Sequence, residues 1–172
     1  MHKELHWYYA LDTHRQVPVS SDTSNHLLNL HSGLTKQQLG KIPLVIGMPV
    51  MITHNFDVEN GVVNGCTGIL KSIRYTTDNM GNRYAVSCVV ESPNLSSSST
   101  MLGPNQAAVL QDTVDLTFQH PHSQKKCMIK HTQLPIAPAF AMTISAKGNH
   151  YAGTVDYPKA HSIQTPHLPT RH

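Results

Sequence analysis

Charge is what this sequence has least of. Asp, Glu, Lys and Arg make up 13% of its 172 residues, roughly half the share found in an ordinary globular domain. The net charge is +3 with the histidines neutral, which permits contact with phosphate without demanding it. The hydrophobic fraction, 39%, is also a little low. This length has room for one domain with at most an appendage. Cys66, Cys88 and Cys127 are odd in number, far apart and never in a C-x-x-C pair, which excludes a disulfide scaffold and fits a reducing compartment. No window carries the ~18 apolar residues of a membrane helix. The first residues, MHKELHWYYALDTH, lack the apolar stretch of a secretory signal. The expectation is a soluble, intracellular chain with no membrane partner.

Catalytic patterns are missing as well. No G-x-S-x-G or Ser-His-Asp arrangement supports a hydrolase. An ATP-driven motor needs a G-x-x-x-x-G-K-[ST] loop, whose amides and lysine hold phosphates, and an acidic residue for Mg²⁺. The nearest candidate, Gly33 to Gly40-Lys41, has six intervening residues instead of four, and Ile42 stands where Ser or Thr is required. No Asp-Glu pair follows an apolar strand; the acidic neighbours there are Asp57 and Glu59. No catalytic residue is assigned. His120-Pro121-His122, with Cys127 or His131 as further ligands, is the arrangement closest to a zinc site. Zinc sites use tighter, repeated spacings, so no metal is assigned, and the cysteines read as small buried hydrophobes.

The informative block is residues 42–70, IPLVIGMPVMITHNFDVENGVVNGCTGIL. Its first run, Ile42 to Ile52, is broken by Pro43, Gly47 and Pro49 and fits a buried strand better than a helix. Asn60-Gly61 and Asn64-Gly65 supply residues that tolerate φ > 0, so the chain can reverse tightly twice, with Gly68 following. Elsewhere, residues 5–11 read as a strand. Asp22 and Ser24 precede a short helix carrying Leu27, Leu28 and Leu30, with Gly33 as its stop. Thr35 to Leu39 suggests one more helical turn. Residues 69–76 and 84–91 read as a hairpin in which Tyr84, Val86, Cys88 and Val90 share a face. The Ser-rich stretch 92–106 reads as a flexible loop. Residues 113–118 alternate, with Val114, Leu116 and Phe118 on one side. A turn around Pro121, a strand at 126–134 and a crossover at 135–144 follow, and the Pro- and His-rich end after Tyr157 reads as a disordered tail. There is no internal repeat. Five or six short strands over 42–134 predict a mainly β fold, a small closed barrel.

Gly47, Val50, Met51, Asn55, Gly61, Val63, Asn64, Gly65 and Gly68 also follow a "G-x-x-VM-x-x-x-N … G-x-VNG-x-x-G" pattern. In this the chain resembles superfamily-1 DNA helicases of the petite-integration-frequency and RecD-like type. Residues 4–14 (ELHWYYALDTH), 27–50, 109–136 (VLQDTVDLTFQHPHSQKKCMIKHTQLPI) and 138–143 (PAFAMT) resemble the helicases of fungal genomes and Helitron-type transposons. The resemblance implies a Src-homology-3-like barrel at 42–135. It implies remnants of a RecA-like α/β motor domain at 1–41, a strand plus a short helix, and at 136–157, with the tail at 158–172. It further implies a truncated helicase, nuclear or mitochondrial, whose ATP and Mg²⁺ site belongs to motor sequence not found here. The family usually follows "AMT" with a block like "AHKAQGQT". In this chain Ala146 and Gly148 match it with one residue deleted, and the family His, Lys and Gln fall on Ser145, a gap and Lys147.

Nucleic-acid contact remains. Lys71, Arg74 and Arg83 lie on or beside the first hairpin, and Lys125, Lys126 and Lys130 on or beside a later strand, with His131. If those strands adjoin, they form a basic face for weak binding of single-stranded DNA; the alternative is a scattered, solvated surface. Tyr75 and Tyr84 are candidates for base stacking or for barrel core and rim. The missing motor domains are the other implied partner. A free-standing β-barrel interaction module and a transposon relic are the competing readings.

Overall fold

The computed structural model describes residues 4–30, 33–96, 101–119 and 126–139. Eleven strands and one helix run in the order β1 (His6–Tyr9), β2 (Leu11–His14), β3 (Val17–Pro18), α1 (Ser21–Leu28), β4 (Lys41–Leu44), β5 (Pro49–Ile52), β6 (Thr67–Thr77), β7 (Arg83–Glu91), β8 (Gln106–Leu110), β9 (Asp112–Gln119), β10 (Lys126–Gln133) and β11 (Ile136–Pro138). They form two sheets. The larger has seven strands in the order β11-β5-β6-β7-β1-β4, with β8 also on β7. Because β4 comes back beside β11, this sheet is a nearly closed barrel, and closure leaves few free edges. The smaller sheet has the order β3-β2-β10-β9.

The apolar block 42–52 forms two strands, not one. Gly47 at φ +89 turns the chain between β4 and β5, and its N–H donates to the Leu70 carbonyl of β6. Ile42, Leu44, Val50, Ile52, Leu70 and Val90 enter the barrel core. The 69–76 and 84–91 hairpin forms, but its expected face is broken. Arg74 pairs with Ser87 and Tyr75 with Ala85, leaving Val86 as a bulge. One extra residue inverts the side-chain phase, so Ala85 is buried with Cys88 and Val90, while Tyr84 lies outside. Gln106–Leu110, part of it expected to be loop, is strand β8 on the free half of β7. Over 113–118 the alternation holds, with Leu116 and Phe118 buried.

The helix starts earlier than Asp22 suggests. Ser20 caps it by accepting from Thr23 N–H, and Asn29 rather than Gly33 ends it. Leu27 packs with Phe118 and Ile129 against the smaller sheet. Residues 35–39 are not helical: Lys36 and Gln37 have φ of +51 and +69, the left-handed region, which cannot propagate a right-handed helix. Gly68 is not in a turn but inside β6, where a Cβ would lie 2.6 Å from the Glu91 carbonyl oxygen. The turn around Pro121, the segment 140–157 and the tail lie outside the described residues. No described helix is long and apolar enough to cross a membrane.

One polar pair is wholly buried. His131 on β10 sits opposite Asp12 on β2, and its Nδ1–H donates to Asp12 Oδ1 at 2.5 Å with side-chain exposures of 0% and 2%. The other ring nitrogen, Nε2, has no hydrogen-bond partner among the described residues. Removing one member of such a pair strands the other without water. Asp12→Ala is therefore expected to destabilise the fold by about 3–5 kcal/mol, against about 0–1 kcal/mol for Lys71→Ala at its exposed ion pair. Equal shifts of the denaturant midpoint would contradict this ranking.

Gly61 and Gly65 have φ of +81 and +90, but their surroundings differ. A Cβ at Gly65 meets nothing within 4 Å, whereas one at Gly61 runs into the Asn94 carbonyl. Gly65→Val should cost only backbone strain, on the order of 1–3 kcal/mol. Gly61→Ala should cost more than Gly65→Ala, because the 92–96 segment must move as well. Urea titration of the two alanine variants tests the order, and a reversal would mean the Asn94 approach is not a constraint.

Candidate nucleic-acid interface

The bulges in the β6–β7 hairpin decide which side chains face out. Leu70 pairs with Val90 and Ser72 with Val89, so Lys71 is the extra residue on β6. With Val86 extra on β7, the outer row of the hairpin is Ser72, Arg74 and Thr76 opposite Val89, Ser87 and Tyr84. The inner row ends at Tyr75 and Arg83, at the mouth of the barrel.

Strand β1 brings aromatic rings to the same place. It runs parallel to β7 with Tyr8 opposite Arg83, and antiparallel to β4 with Tyr9 opposite Lys41. Tyr8 is buried and meets Tyr75 edge-on, with ring centroids 5.6 Å apart. The Arg83 guanidinium lies 4.8 Å from the Tyr75 ring centre. On the outer face the Lys41 ammonium lies 5.0 Å from the Trp7 ring centre. Both distances suit cation–π attraction. Trp7 and Tyr75 remain 44% and 40% exposed, so each ring keeps a surface on which a base can stack. The two ring–cation pairs lie on opposite faces of the sheet, Trp7 with Lys41 outside and Tyr75 with Arg83 on the inner row.

Tyr84 is anchored. Its hydroxyl donates to Asp78 Oδ2 at 3.1 Å. Partial burial, and then this carboxylate, raise its pKa above the usual phenol range. Asp78 shapes the turn after β6, accepting from the backbone N–H groups of Met80 and Asn82 and from the Asn82 side chain. The Asn82 side-chain bond is the main cause holding its pKa below the usual carboxylate value.

The expected cations are divided between the two sheets. Lys71 on β6 pairs with Glu91 at 3.3 Å. Glu91 also accepts from Gln106, which, ahead of Lys71, lowers its pKa. Arg74 is exposed on β6 without an ion-pair partner among the described residues, and Arg83 is half-buried. Lys126 and Lys130 are exposed on β10 of the smaller sheet, where Lys130 pairs with Asp115 at 3.3 Å. Lys125 and the His120–His122 pair lie outside the described residues. Sequence reasoning missed Trp7, Lys41 and Arg15. The signal for the first was in the strand HWYY, since alternation sends Trp7 and Tyr9 to the face opposite Tyr8.

Among the described residues no group of three or more His, Cys, Asp or Glu is placed to hold a metal. Burial pushes the Cys88 thiol up to about 12, so it carries almost no thiolate near neutral pH.

These features define a mainly β chain with a nearly closed barrel and two partly exposed ring–cation pairs. No family model matches the chain, and no curated protein matches it. Solved structures that resemble it include two helicases. A Pif1 helicase from Candida albicans aligns at 16% identity and a TM-score of 0.44, over 81% of this chain and 30% of that one. A Bacteroides Pif1 bound to ssDNA aligns at 16% identity and a TM-score of 0.41, over 80% and 25%. The chain spans less than a third of either helicase. At such scores the likeness is too loose to transfer a residue role or an activity.

In the native protein a thiol reagent at pH 8 should modify the half-buried Cys127 first, and Cys88 only on unfolding. Prompt labelling of Cys88 would mean the barrel is open over it.

Proposed function

We propose that this chain is a helicase-related accessory β-barrel, Src-homology-3-like in kind, that binds single-stranded DNA weakly and without sequence preference. It has no nucleotide site of its own. In this reading ATP and Mg²⁺ belong to the motor domains of the resembled family, for which the barrel guides the strand in a nuclear or mitochondrial setting. The barrel takes its described strands from 6–9, 41–110 and 136–138, and motor-domain remnants are assigned to the rest of 1–41 and 136–157. The observation that carries the reading is the pair of ring–cation stacks, Lys41 on Trp7 outside the barrel and Arg83 on Tyr75 on its inner row. Stacking on exposed rings beside cations suits unpaired bases, whereas a duplex keeps its base faces covered. A protein-interaction module is the second reading, favoured by Leu5 and Leu11, exposed at 52% and 43%.

Trp7 is the only tryptophan in the sequence, so its fluorescence reports the proposed contact directly. Titration with a single-stranded oligonucleotide should quench it, with similar affinities for different sequences. Two to four neutralised phosphates would give a slope of log K against log salt of roughly −1.5 to −3. Reversing the charge of Arg74 and Lys41 should weaken binding to all sequences alike, because phosphate contacts carry no base information. Mg²⁺-dependent ATP turnover above a no-protein blank should not be seen. A salt-insensitive affinity, or sustained turnover stimulated by DNA, would overturn the reading.

A further inference from the structure

Strands β1 and β2 are consecutive, yet β1 belongs to the barrel and β2 to the smaller sheet. Between them the side-chain alternation does not slip. Tyr8, Ala10 and Asp12 are buried, and Trp7, Tyr9, Leu11 and Thr13 alternate with them on the outer side, none of them buried. One outward row therefore crosses from the barrel to the second sheet. Its far end opens into a groove of about 670 Å³ lined by Thr13, Arg15, Lys126, Met128 and Lys130, with Asp115.

Two features of this groove point to an anion. Three cations face one carboxylate, and among the described residues that carboxylate's ion pair is the exposed one with Lys130, a kind of contact that phosphate displaces at little cost. The second is the β2–β3 hairpin. His14 pairs with Val17, so Arg15 and Gln16 are its two turn residues, with φ of +50 and +67. Such turns favour Asn-Gly, and left-handed non-glycine residues carry strain. Here the strained tip places a guanidinium beside the groove.

We propose that this groove is a second phosphodiester site, and that a single nucleic-acid strand bound at Trp7 continues along the β1–β2 row to reach it. The proposal rests on the reading of the barrel as a single-strand binder. From Trp7 to Arg15 an extended chain covers roughly 26 Å, the reach of several nucleotides. The near end supplies ring faces and Lys41. The far end supplies Arg15, Lys126 and Lys130 but no Phe, Tyr or Trp on its described lining, and its His14 ring is tied to the Met128 carbonyl, so it should hold backbone rather than bases.

The test compares oligothymidylates of about 4 and about 12 nucleotides on the full chain, its Arg15→Glu/Lys126→Glu variant and the milder Arg15→Gln/Lys126→Gln variant. Thermal midpoints check folding. The wild-type chain should bind the longer strand about tenfold more tightly or better, through linked contacts. Both variants should lose that gain while quenching of Trp7 by the short strand stays unchanged. If the variants keep the full length dependence, the strand stops at the barrel and the groove is not its site. In that case short-strand quenching still supports the barrel reading. If neither length quenches Trp7, the barrel reading fails together with this proposal, and the exposed row is left to a protein partner.

Discussion

The ribbon from His6 to His14 is the constraint on which both sheets depend. Its inward row places Tyr8 in the barrel core and Asp12 against His131 in the smaller sheet. Because one strand serves two sheets without a change of phase, their orientation is coupled through Ala10, whose N–H donates to the Gly40 carbonyl at 2.8 Å. Gln133 reinforces the joint, its amide reaching the carbonyls of Tyr8 and Leu39 at 3.3 and 3.2 Å. These are buried hydrogen bonds, so the joint is specified by direction as well as by apolar contact.

The outward face follows from the same constraint. Once Tyr8 and Asp12 must point in, Trp7, Tyr9, Leu11 and Thr13 have no choice but to point out. The exposed tryptophan is thus a geometric consequence of what the ribbon buries. Lys41 meets Trp7 because β4 pairs with β1, and Arg83 meets Tyr75 because the Lys71 bulge sets Tyr75, and the Val86 bulge sets Arg83, on the inner row.

Several strands of both sheets were legible in the sequence. The strands around 69–76, 84–91, 113–118 and 126–134 show in their alternation, and the Asn-Gly pairs mark reversals where glycine takes a positive φ. What escaped depended on contacts distant in sequence. The Val86 bulge is set by pairing register and has no local signature. Strand β8, QAAVL, lacks strong β-formers and owes its state to the free edge of β7. The turn at Lys36 and Gln37 looks helical by composition, and the His54 ring, whose Nε2–H donates to the Lys36 carbonyl and whose Nδ1 lies 3.1 Å from Asp112 Oδ2, reveals what the segment is packed under. The six expected cations were chosen by strand, but sheet membership is a tertiary property, so the split between β6–β7 and β10 was invisible. The aromatic partners were overlooked because an HWYY run reads as core until its alternation is followed.

The ribbon also has a history within each folding event. Asp12 and His131 are 119 positions apart, and β1 must wait for β4 and β7 before it has any backbone partner. During synthesis it leaves the ribosome long before β10 does, with both of its edges open and Leu5, Trp7 and Leu11 in water. Non-local pairings of this kind are slow to form, and unpaired strand edges invite association with other chains. The element that joins the two sheets is consequently the one that most needs shelter while the chain is being made.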